Sequence, residues 1–320
     1  MNQKLDDVRF ILDTTVEKGD VPWAVLVLVD KSGIIFEHGA NGDLDRADWI
    51  ASATKVPSIL AFMTLAGEGK VQLDDPISAY LPGFDGDKST MTIRHTMALI
   101  SGFQFNHPTL DPGPDMEMNW RPSPITLEKC VDEIAKLPLE APPGKRFIYG
   151  SVSHSVYGRV AEVVSGKPWA DFFNERLAKP LGMRRATYGP TRNPRLSGGL
   201  VCSARDYSQI LRLILRNGEM DGHQMIPSHL IREMYQDNGA EFRGPSRDHG
   251  PIAYGIGWWI NRMENGQATL ITDPGGQGAY PWIDLKRGYG GFLFVRKTLQ
   301  DGTRLFGEVF PIIEAAIDSK

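Results

Sequence analysis

Trp23-Ala24-Val25-Leu26-Val27-Leu28-Val29 is an unbroken apolar run without glycine or proline. It is short for a helix and rich in valine, so it reads as a buried strand. Asp30-Lys31-Ser32-Gly33 supplies a turn, and residues 34–38 return as a second strand. Before this pair, Leu5, Val8, Leu12 and Val16 recur at helical spacing and predict an amphipathic helix. The same signals return at the far end. Residues 258–261, 268–272, 280–284 and 291–296 are short apolar runs, with Asn265-Gly266 and Lys286-Arg287-Gly288 as hairpin turns. A closing helix follows over 305–317. From about residue 51 to 240 the signals are helices and long loops, and 103–124 reads as an extended surface loop. The expected class is α+β: one antiparallel sheet built from both chain ends, flanked by terminal helices, with an inserted helical domain. Residues 1–50 plus 251–320 would form the sheet domain and 51–250 the insertion, with an active site at their interface.

Composition narrows the function. The chain has 320 residues, 41% of them hydrophobic and 23% charged, enough for a sizeable core. A net charge of −4 without a basic block gives no nucleic-acid footprint. Residues 1–18 are charged and lack an apolar leader core, and no stretch is long enough to span a bilayer, so a cytoplasmic location is expected. Cys130 and Cys202 are too few for a disulfide framework and read as buried thiols. The seven histidines form no tight metal spacing, so no metal and no cofactor is expected. His154 reads as helix surface or core, Trp258-Trp259 as strand core, and Gly288-Tyr289-Gly290-Gly291 as a hairpin turn. Gly-x-Ser-x-Gly and Walker-type loops are absent.

Chemistry enters at Ser52-Ala53-Thr54-Lys55, the one Ser-x-x-Lys in the chain. Residues three apart share a helix face, so the hydroxyl and the amine can meet as nucleophile and base. A solvated helix start is the plainer reading of four such residues. Ile59, Leu60, Phe62, Met63 and Leu65 argue against it, because a helix apolar nearly all round is buried and takes its first-turn lysine with it. Two further elements stand out. Tyr149-Gly150-Ser151 follows Pro143-Gly144-Lys145-Arg146-Phe147-Ile148, and Asp273-Pro274-Gly275-Gly276-Gln277-Gly278 precedes a strand.

In this order the three elements resemble the motifs of the serine β-lactamase and penicillin-binding-protein superfamily, closest to class C β-lactamases and family VIII carboxylesterases. Further landmarks agree: Gly67-Glu68-Gly69-Lys70-Val71-Gln72-Leu73-Asp74-Asp75-Pro76-Ile77, Ile93-Arg94-His95 leading to Ser101-Gly102-Phe103, Pro180-Leu181-Gly182-Met183 and Gly198-Gly199-Leu200. The resemblance runs from about residue 21 to 295. It implies Ser52 as acyl-accepting nucleophile, Lys55 as base or proton relay, and Tyr149 as the group that protonates the leaving group and activates water. It also implies an oxyanion hole from the backbone N–H groups of Ser52 and Gly276, beside Gly275, which lets backbone approach substrate. Lysine ordinarily titrates near ~10.4, so a neutral Lys55 base would need a drop of roughly 3 units. A charged Lys55 would instead favour a Tyr149 phenolate, and both options stand at this level.

Three departures from the family pattern bear on substrate. Ser151 stands where an asparagine is usual and offers fewer hydrogen bonds. Asp273 stands where lysine, histidine or tryptophan is usual; an aspartate there would repel a substrate carboxylate. Leu99-Ile100 replaces the usual His-Thr. These changes favour a carboxylesterase on small neutral acyl esters over a β-lactamase, a D-amino-acid peptidase or amidase, or a penicillin sensor that does not turn over; Gln277, beside the glycines, is a further substrate-binding candidate. The expected partner is a small ester, lactam or amide. Phe103, Phe105, Trp120 and Tyr207 are candidates for an apolar acyl site.

Overall fold

The computed structural model describes residues 2–104, 125–238 and 253–319. The helices are α1 (Asn2–Glu17), α2 (Lys55–Gly67), α3 (Ile93–Met97), α4 (Leu127–Ala135), α5 (Val152–Ser165), α6 (Trp169–Phe173), α7 (Ala204–Leu215), α8 (Ser228–Glu233) and α9 (Leu299–Ile317). The strands are β1 (Ala24–Asp30), β2 (Ile34–Ala40), β3 (Asp48–Trp49), β4 (Val201–Cys202), β5 (Glu219–Met220), β6 (His223–Gln224), β7 (Ala253–Tyr254), β8 (Trp259–Glu264), β9 (Gln267–Thr272), β10 (Ala279–Asp284) and β11 (Tyr289–Phe294).

Seven strands form one antiparallel sheet in the order β2-β1-β11-β10-β9-β8-β7, so the first strands of the chain pair with the last. The apolar run of β1 is buried on both faces. Val25, Val27 and Val29 point into the core shared with the helices, while Ala24, Leu26 and Leu28 point into a second core under α1 and α9. That split is the period of two expected of a strand. Leu5, Val8 and Leu12 of α1 meet Leu305, Val309 and Ile313 of α9 in the second core. On the opposite face Tyr207 of α7 stacks on Phe292 of β11 with ring centroids 4.4 Å apart.

Two boundaries differ from the sequence reading. Helix α9 begins at Leu299, six residues before the apolar pattern, because Thr298 caps it by accepting from the Asp301 N–H at 3.2 Å. Gly302, which masked this start, is a contact residue: a Cβ there would lie 3.0 Å from the Gly278 backbone. Tyr289-Gly290-Gly291 is strand rather than turn. Gly291 faces Trp282 across the β10–β11 pair, where a Cβ would come 2.2 Å from the indole, and the turn is closed by Gly288 at φ +72°.

Among the described residues no helix is long and apolar enough to cross a membrane, and no group of His, Cys, Asp and Glu could hold a metal ion.

Candidate active site

The chain reaches Ser52 through a strained turn. Trp49 pairs with Val201, and the Ile50 N–H donates to the Leu200 carbonyl at 3.1 Å. Ala51 then takes φ +48°, a left-handed conformation that costs a non-glycine residue about 1–2 kcal/mol. The reversal starts a 3₁₀ turn, Ala51–Thr54, which runs straight into α2. The Tyr207 hydroxyl donates to the Ala53 carbonyl at 3.0 Å, and the Leu200 N–H donates to the Thr54 hydroxyl at 3.1 Å. Ser52 thus sits half-buried on a turn held from two sides.

Lys55 follows at the first residue of α2 and is 1% exposed. Its Nζ donates to the Tyr149 Oη at 2.8 Å, to the Ser197 carbonyl at 3.2 Å and, at 3.5 Å, toward the Ser52 carbonyl. Three oxygens around one nitrogen match the three donors of an ammonium group. Tyr149 comes from the segment before α5, and its ring stacks on Trp259 of β8 with centroids 5.3 Å apart. Trp259 also meets Phe147 and Tyr254 edge-on, at 5.8 and 4.9 Å. The phenol is therefore braced by an aromatic wall that reaches it from the sheet.

The third element closes the other side. Gly275 donates its N–H to the Ala279 carbonyl at 2.7 Å and accepts from Gly278 at 3.0 Å, which makes a tight loop between β9 and β10. The loop passes so near the Ser52 turn that a Cβ on Gly275 would lie 2.1 Å from the Ile50 carbonyl oxygen and 3.4 Å from the Ala53 nitrogen. Glycine is needed here for that approach. Gly276 faces open space, with nothing within 4 Å of an added Cβ. Asp273 is wholly buried, and its carboxyl oxygens reach no hydrogen-bond partner among the described residues. Burial pushes its carboxyl well above the ordinary carboxylate range, while the charge of Lys55 and the backbone of Val56 pull the other way.

The family profile described as Beta-lactamase matches residues 11–307, most of the chain. The chain belongs to the Beta-lactamase family. Among characterised proteins it is similar to "Protein flp" of Staphylococcus aureus strain MW2, 27% identical over 204 residues, which are 59% of this chain and 39% of that protein. It therefore spans well under half the length of that relative. It is also similar to the D-alanyl-D-alanine-carboxypeptidase/endopeptidase AmpH of Escherichia coli K12, 24% identical over 80% of this chain and 73% of the other. In fold it matches EstCE1, described as a hydrolase with promiscuous acyltransferase activity, with a TM-score of 0.79 at 20% identity over 97% of this chain and 98% of that one.

Against the Beta-lactamase pattern, several sequence expectations need revision. Asp273 has no surface in the cleft, so it cannot meet a substrate carboxylate; the period of β9, with Ile271 facing the helical core, turns Asp273 the same way, toward α2. Ser151 is likewise buried, at the N-cap of α5. Tyr207 and Phe103 do not line an acyl pocket: Tyr207 holds the Ser52 turn from beneath, and Phe103 packs on Phe84 at 6.4 Å. Phe105 and Trp120 lie outside the described residues. His154 is core, as one of its two readings had it: it meets Tyr157 edge-on at 5.5 Å, and burial, then the nearby Lys55 charge, hold its imidazole well below its ordinary range. Gln277 bonds to Arg296. Sequence reasoning overlooked Ser197 and Trp259. The Gly198-Gly199 pair marks the first, since Ser197 to Leu200 wraps the Ser52 turn and the Trp49 indole donates to the Gly198 carbonyl. In the Trp258-Trp259 pair, one indole is buried and its neighbour, on the other face of the strand, is only half-buried.

Proposed function

We propose that this chain is a serine hydrolase that forms an acyl-enzyme on Ser52, and that its preferred substrates are small, neutral carboxylic esters. The observation that carries the reading is the 2.8 Å contact between Lys55 and Tyr149, one helical turn from Ser52. In the proposed cycle the Ser52 hydroxyl gives its proton to the Tyr149–Lys55 pair as its oxygen attacks the ester carbonyl. The tetrahedral oxyanion is met by the N–H groups of Ser52 and Gly276, for which no acceptor is found among the described residues. Collapse expels the alcohol, which takes the proton back, and water repeats the sequence to free the acid. With one proton already missing from the pair, as amine and phenol or as ammonium and phenolate, the 2.8 Å contact lets it accept and return one proton as a unit.

The ester preference is supported by the third motif. Where lactam-cleaving relatives place a cation, this chain has Asp273, so that position offers a substrate carboxylate no attraction. A D-alanyl peptidase activity is the second reading, favoured by the similarity to AmpH over 80% of the chain. Parallel assays with short p-nitrophenyl esters, nitrocefin and D-alanyl amides separate the two. Ser52→Ala is expected to reduce ester turnover to background with an unchanged melting temperature; retained turnover overturns the proposal.

A further inference from the structure

The proposed oxyanion hole is made by two segments more than two hundred residues apart in the chain. One is the nucleophile turn, entered from Asp48 in β3; the other is the Gly275–Gly278 loop. Neither N–H can be aimed by its own segment alone, because a loop shift of an ångström on either side would open the pair. A single side chain ties the two together. The Arg296 Nε lies 2.9 Å from the Asp48 carboxylate, four residues before Ser52, and its Nη1 donates to the side-chain oxygen of Gln277, the residue after Gly276. The backbone on both sides of Arg296 is pinned to the same loop: Val295 donates to the Gly278 carbonyl and Lys297 to the Gln277 carbonyl, each at 3.2 Å. The arginine is only 20% exposed, and Gly275 makes the close approach to Ile50 inside this brace.

We propose that Arg296 is a positioning residue for the oxyanion hole, setting the distance between the Ser52 and Gly276 N–H groups by clamping Asp48 to Gln277. This rests on the acyl-enzyme reading above. The planar guanidinium presents donors in two fixed directions and can hold both acceptors at once, whereas a lysine at the same place is a point charge and holds one. Asp48 balances the charge of Arg296, so the effect acts through geometry and not through an added field. Because the oxyanion exists only in the transition state, a loosened hole lowers kcat and leaves KM nearly unchanged.

The test compares wild type with Arg296→Lys and Gln277→Ala, measuring kcat and KM on a short p-nitrophenyl ester, the affinity for phenylboronic acid, and the melting temperature. Boronate addition to Ser52 creates a tetrahedral anion and reports the hole directly. The expected result is a fall in kcat of about 10–100-fold, somewhat less than deleting a donor outright, matched by an equal loss of boronate affinity. KM should stay within about twofold. Unchanged kcat and boronate affinity in both variants would overturn the proposal, as would a loss confined to KM. If Arg296→Lys fails to fold, Gln277→Ala decides alone. The Ser52→Ala control keeps the two ideas apart: an active Ser52→Ala enzyme sinks the site assignment itself, while an inactive one beside a fully active Arg296→Lys enzyme sinks only the clamp.

Discussion

Lys55 and Asp273 are both fully buried ionisable side chains of the site, and they are treated in opposite ways. Lys55, delivered by the inserted helix, is given three oxygen acceptors. Asp273, delivered by the sheet, is given no hydrogen-bonding side chain among the described residues. A buried charge that is hydrogen-bonded can persist, while one that is not sheds its charge by binding a proton. Asp273 therefore holds its proton where Lys55 keeps a full set of acceptors.

Removing the satisfied partner should do the most damage. Lys55→Met keeps the length and apolar stem but deletes the donors, and kcat/KM for an ester should fall about 10²–10⁴-fold. A loss below tenfold would mean that Lys55 is structural and takes no part in proton transfer. Tyr149→Phe keeps the stack on Trp259 and removes the hydroxyl, so a loss of about 10²-fold, without a change in melting temperature, is expected from the same assay.

The buried Asp273 carboxyl makes stability depend on pH. Its proton affinity is raised by the fold. Below about pH 3.9 folded and unfolded chains both carry the proton; above it the unfolded chain releases the proton while the folded chain holds it. The unfolded state then binds fewer protons, so this carboxyl lowers stability as pH rises, by at most about 1.4 kcal/mol per unit. Asp273→Asn lacks that slope. Its melting temperature relative to wild type should climb by several degrees between about pH 4 and about pH 7. A pH-independent difference would show that Asp273 is ionised in the fold. The smallest effect is expected for Trp259→Ala: loss of the ring stack is worth about 0.5–1.5 kcal/mol, so kcat/KM should drop about 2–12-fold.

Much of this architecture is legible in the residues themselves. The β1 run and the Asn265-Gly266 turn, with φ +52° and +76°, declare the sheet because strand burial and turn conformation are local properties. Ser52 and Lys55 declare themselves by helical spacing. What escapes the sequence is whatever tertiary approach alone creates. Ser197 offers a backbone carbonyl, which no residue identity can announce, and Arg296 is a clamp only because β3 and the β9–β10 loop come together around it. Asp273 falls between these cases. Its position in the motif is readable, but its burial follows from the alternation of β9 carried one step past the end of the strand. Gly290 and Gly291 mislead for the converse reason, since two glycines suggest a turn when they are in fact making room for Trp282.

The most direct test of the acyl-enzyme is intact-protein mass spectrometry of enzyme quenched in acid during turnover of a slowly deacylated ester, followed by peptide mapping. The expected result is a mass increase of one acyl group, located on the peptide carrying Ser52 and absent from Ser52→Ala. Turnover without any covalent adduct, or an adduct on a different residue that persists in Ser52→Ala, would contradict it.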